Sequence, residues 1–170
     1  MWTCEAEIEA AMTTLGFAAN NCKKIADDLS LPILNSIQNR FVTGLPRNWW
    51  WENFRQLDAI AQHKKDQAYE WLDKIIPATA DRVWFVTEPA KDGKIFGLYD
   101  ALFINIQPIL RESCYFEYYI VSQELDWLVC ETHHGQIMVI GDLVAKRLRQ
   151  LALDYSEEWL LKNTSYKTPV

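Results

Sequence analysis

The stretch YFEYYIVSQELDWLVCETHHGQIMVIG, Tyr115 to Gly141, holds three short apolar runs separated by polar turn residues. Phe116 to Ser122, Asp126 to Thr132 and Gln136 to Ile140 are five to seven residues each and rich in aromatic and β-branched side chains, so they read as strands of an antiparallel meander. In the middle run Trp127 and Val129 point one way while Leu128 and Cys130 point the other, which makes both faces apolar and predicts a central strand covered on both sides. His133-His134-Gly135 is short enough for a hairpin, with Gly135 supplying the positive φ of a bulged turn.

Outward from the meander, Arg82 to Glu88 reads as a strand, Lys91-Asp92-Gly93 as a turn and Lys94 to Tyr99 as the partner strand. Asp100 to Ser113 fits a helix kinked at Pro108, with a strand over Leu102 to Ile106 as the alternative. Asp142 is placed to cap a final helix whose Val144, Leu148, Leu151, Tyr155 and Trp159 recur at helical spacing. Residues 1–80 read as mainly helical. Glu5 to Leu15 carries Ile8, Ala11, Met12 and Leu15 on one face before Gly16; Asn21 to Leu29 and a Ser30-capped helix to Val42 follow; Asp66 caps a further helix bearing Tyr69, Leu72, Ile75 and Ile76. The expected fold class is therefore α+β: one domain over 1–170, a helical N-terminal half on a mostly antiparallel sheet (81–141), and a long C-terminal helix (142–162).

With 170 residues, 49% of them hydrophobic and eight of them tryptophan, the chain has ample material for a core, which argues against general disorder. Seventeen basic against 23 acidic side chains give a net charge of −6, which disfavours a broad grip on nucleic acid and suits a basic protein partner. Cys4, Cys22, Cys114 and Cys130 are scattered without a C-x-x-C pair and read as reduced thiols of a cytoplasmic protein. The N-terminus has no secretory leader pattern and no window is apolar enough to span a membrane, so no membrane association is expected.

Two clusters carry chemical potential. Glu131 with His133 and His134, in ETHH, can serve general acid/base work at a strand end; adjacent histidines on an extended strand point to opposite faces, so neither a metal site nor a cofactor is expected there. The bland account is a hairpin cap made by one imidazole. The second cluster is LPRNWWWENF, in which Trp49, Trp50 and Trp51 lie beside Arg47 and Arg55. These residues can build a stacking platform for a partner, or for bases, while a structural account has at least two indoles plugging helices onto the sheet. Three adjacent side chains cannot share one direction, so one exposed indole is expected either way. No G-x-S-x-G, Walker-type loop, G-x-G-x-x-G or H-E-x-x-H occurs.

WWWENF at Trp49 to Phe54, VWFVTE at Val83 to Glu88, FEYYIVS at Phe116 to Ser122 and DWLVCETHH at Asp126 to His134 make the chain resemble an uncharacterised family of small bacterial cytoplasmic proteins. In size and acidity that family is similar to the immunity proteins with which bacteria neutralise the toxins of their kin. The resemblance implies a non-enzymatic, toxin-binding inhibitor. A small hydrolase-like enzyme or ligand sensor using Glu131, His133 and His134 is the alternative, and nucleic-acid binding through Trp49 to Trp51 a more distant one.

Overall fold

The computed structural model describes residues 3–44, 49–89 and 96–163. Arg47, the Lys91-Asp92-Gly93 turn, the start of its following strand and the tail beyond 163 lie outside the described residues. In chain order the elements are α1 (Cys4–Thr14), β1 (Cys22–Lys24), α2 (Asp27–Phe41), β2 (Ala59–His63), α3 (Leu72–Ile75), β3 (Arg82–Thr87), β4 (Gly97–Leu102), α4 (Phe103–Glu112), β5 (Tyr118–Ser122), β6 (Leu128–Glu131), β7 (Gln136–Ile140), α5 (Asp142–Asp154) and β8 (Trp159–Lys162). Short 3-10 turns at Trp50–Asn53 and Ala68–Trp71 complete them.

The eight strands form one antiparallel sheet in the order β1-β4-β3-β5-β6-β7-β2-β8. The meander β5-β6-β7 lies inside it, and β6 is buried at every residue. Its two faces separate as the alternation predicts. Trp127 and Val129 join a core built with α1, α3, α4 and α5, whereas Leu128 and Cys130 join one built with α2 and Trp50. Helices therefore cover both sides of the ribbon. Thr132 N–H donates to Gln136 O at 2.9 Å and Gly135 N–H to Thr132 O at 2.8 Å, closing the bulged hairpin, and Gly135 has φ 68°.

The first helix ends as its sequence foretells. Gly16 (φ 65°) donates to Thr13 O at 3.1 Å and Phe17 to Met12 O at 2.9 Å, the paired bonds of a Schellman stop, while Thr3 caps the other end through Ala6 N–H.

Several local expectations are corrected. Asn21 to Leu29 is not a helix: Cys22 pairs with Ala101 as the edge strand β1, and α2 starts at Asp27, three residues before Ser30, leaving Leu29 exposed. The N-terminal half also supplies β2, which inserts between β7 and β8. Asp66 caps nothing; it holds a left-handed turn (φ 51°) that His63 closes by accepting the Lys65 and Gln67 N–H groups on Nδ1 at 3.3 and 3.1 Å. The β3-β4 pairing forms, with β4 described from Gly97 and running to Leu102, past the expected end at Tyr99, and Pro108 sits inside α4.

The last helix is shorter than its periodicity suggests. Gly141, not Asp142, is the N-cap, with φ 112°; a Cβ there would meet Trp127 Cβ at 2.7 Å and Asp126 O at 2.9 Å. Helix α5 stops at Asp154, and Trp159 reaches the core from β8, opposite His63, with the rings 5.0 Å apart. Its spacing continued the helical pattern because strand and helix deliver Trp159 and Leu151 to the same core.

Candidate functional site

At the hairpin end of β6 the structure brings the tryptophan segment and the histidines together through a residue that the sequence reading passed over. Glu117 precedes β5 and is 1% exposed. Its Oε1 accepts the Tyr119 hydroxyl at 2.7 Å; its Oε2 accepts Trp51 Nε1–H at 2.8 Å and His133 N–H at 3.3 Å and lies 3.1 Å from His133 Nδ1. The Tyr119 hydroxyl in turn accepts Trp50 N–H at 3.2 Å. One buried carboxylate thus ties three separate segments. The available signal was phase: Glu117 alternates with Tyr119 and Val121, both on the α2 side of the sheet, so an acidic residue falls on a buried face.

The three indoles divide as geometry requires. Trp50 is 2% exposed and packs on Phe96 and Tyr119 with ring centroids 4.6 and 5.1 Å away. Trp49 and Trp51 are half-buried. Their rings lie 5.2 and 5.7 Å from that of His133, and Trp51 is 5.9 Å from His134. The two imidazoles are 4.1 Å apart, because the turn overrides strand alternation, contrary to the expectation of opposite faces. His133 leaves 41% of its side chain exposed, and His134 is exposed. The result is a patch of two indoles and two imidazoles over a buried acid. Glu88 N–H donates to Glu117 O at 3.2 Å; burial first, then the charge of Glu117, raises the Glu88 carboxyl above the usual range.

Glu131 does not join this patch. It pairs across the ladder with Tyr118, on the α1/α4 side of the sheet, where its Oε2 accepts the Tyr118 hydroxyl and its Oε1 has no partner among the described residues. Burial raises its carboxyl to about 7, the Tyr118 hydrogen bond opposes this, and Asp66 adds to it. Of the ETHH trio, the structure unites the histidines and sends the glutamate to the other face. Arg55 is also elsewhere. It lines a 370 Å³ pocket with Arg40, Asp58, Asp126 and Gly141, at the opposite end of the meander.

Chemically, the carboxylate beside His133 Nδ1 favours the tautomer protonated there and leaves Nε2 as an acceptor. The same contact fixes the ring. Among the described residues no group of three or more His, Cys, Asp or Glu side chains is arranged to hold a metal ion. Nor is any described helix long and apolar enough to cross a membrane.

Fold and site together define an α+β protein with a helix-covered antiparallel sheet and an aromatic-imidazole patch at one strand end. The chain belongs to a family of unknown function, DUF6756, whose model matches residues 2–152. That span includes every residue of the patch. No curated protein and no solved structure matches the chain.

Proposed function

We propose that this protein is a non-enzymatic binding domain that meets a protein partner through Trp49, Trp51, His133 and His134, and that it acts as an immunity-type inhibitor of a bacterial toxin. The observation that carries this reading is the Glu117 clamp, which holds Trp51 and His133 in fixed positions while leaving part of each open. Side chains immobilised before association lose little entropy on binding, and tryptophan is the residue most often found at the centre of binding energy. The net charge of −6 supports a basic partner. The test is neutralisation: co-expression with a toxin encoded beside the gene should restore growth, and Trp49→Ala with His134→Ala should abolish rescue while leaving the melting temperature unchanged. Rescue that survives the double substitution would remove the patch from the account.

A second reading rests on the Glu117 to His133 contact, since a carboxylate on one ring nitrogen is the arrangement that prepares an imidazole as a general base. It concerns the same residues as an enzyme or ligand sensor. Hydrolysis of a chromogenic ester or phosphate panel, abolished by His133→Gln, would favour it over the binding role; a flat response across the panel would count against it.

A further inference from the structure

On the other side of the sheet a 330 Å³ pocket opens between α4, the turn after β2 and the segment leading into β5. Tyr69, Tyr115, Phe116 and Tyr118 are in its lining, with Asp66 at the turn. The phenol hydrogens of Tyr115 and Tyr118 are already committed inward, to Thr132 O and Glu131 Oε2, so both oxygens offer only lone pairs to a guest. Directly behind Tyr118, the wholly buried Glu131 keeps one oxygen without a hydrogen-bond partner among the described residues. Two basic residues also line the pocket, Lys65 and Arg111. Arg111 is spent on Glu70, with Nε to Oε1 at 2.8 Å and a second contact beside it, which leaves Lys65 beside Asp66 in the lining, with Glu131 buried behind Tyr118.

We propose that this pocket is a binding site for a small organic cation, a substituted ammonium, held by its aromatic lining and by the acidic groups around it. The negative faces of phenol rings attract a positive charge, and the attraction grows when water is excluded. An anion would meet the Asp66 carboxylate and the Tyr115 and Tyr118 oxygens, whose hydrogens are committed elsewhere. A guest's charge would also compensate Glu131, which lies behind Tyr118, has its carboxyl raised by burial and by Asp66, and forms no ion pair among the described residues. The site lies across the sheet from the tryptophan patch, so its fate is independent of the proposed inhibitor role.

The experiment is calorimetric titration of the full chain with choline and with its neutral isostere, in which a tert-butyl group replaces the trimethylammonium. Choline should bind about tenfold more tightly than the isostere, and Tyr69→Leu should weaken choline about threefold or more. Tyr115→Leu serves the same purpose should the first variant fail to fold. Equal affinity for the two ligands, absence of choline binding up to millimolar concentration, or unchanged choline affinity in a folded variant would each overturn the proposal.

Discussion

Replacing Glu117 with alanine removes the acceptor on which Trp51, Tyr119 and His133 converge. The bonds from Trp51 Nε1–H at 2.8 Å and the Tyr119 hydroxyl at 2.7 Å lose their partner inside the protein. The two contacts from His133, at 3.3 and 3.1 Å, are longer, and its side chain is 41% exposed, so water can replace them. A hydrogen bond to a charged group contributes about 1.5–3 kcal/mol and a stranded buried donor costs about 1–3 kcal/mol. Relief from burying the carboxylate offsets part of the loss. Two donors stranded, with that offset, give a net loss of about 3 kcal/mol, or roughly 6–12 °C in melting temperature for a chain of this size. Glu117→Gln keeps one acceptor and turns an amide N–H₂ toward the other donor, so it should fall between alanine and the parent. Urea unfolding followed by tryptophan fluorescence gives the ranking. A loss below about 1 kcal/mol for Glu117→Ala, or a glutamine variant as damaged as the alanine one, would refute the reasoning.

Glu131 should make stability depend on pH. Its folded pKa, about 7, stands above the 4.5 of the free group, so below pH 4.5 its contribution is fully present and it is lost as pH rises through 7. Glu131→Gln cannot ionise; relative to the parent it should gain about 3 kcal/mol at pH 8 over pH 4.5 by denaturant unfolding, and parallel curves for the two proteins would contradict the assignment. Backbone freedom is tested by alanine at two left-handed glycines. Gly16→Ala, with nothing within 4 Å, should cost about 1 kcal/mol, and Gly141→Ala, jammed against Trp127 and Asp126, about 3 kcal/mol or more; equal losses would deny the close approach. Alkylation at pH 8 should modify the exposed Cys114 and spare the buried Cys4, Cys22 and Cys130, with burial pushing the thiols of Cys4 and Cys22 up to about 12. Peptide mapping reads this out directly.

The meander, its two-faced middle strand and the β3-β4 pairing were legible because dense β-branched and aromatic runs bounded by turn residues have few other solutions. Strand β2 was not, since AIAQH has little strand propensity and its partners, Val139 and Trp159 among them, lie far along the chain. Strand β1 was hidden in the same way, as three residues whose partners on β4 lie far along the chain. Of the candidate site, the sequence foretold only that three adjacent indoles would not share one direction; that Trp50 alone is buried and Trp49 and Trp51 are half-buried was not legible. The grouping of His133 with His134, and the departure of Glu131 to the other face, depended on turn geometry that a residue string leaves open. Glu117 could have been found by following the alternation one step back from Tyr119.

The central claim is that a buried carboxylate pins Trp51 beside the hairpin, and the Trp51 indole proton reports on it alone. In ¹⁵N-resolved hydrogen exchange that proton should be strongly protected in the parent and exchange markedly faster in Glu117→Ala, while the Trp159 indole is unaffected. A Trp51 indole proton that exchanges freely in the parent, or stays protected without Glu117, would contradict the account.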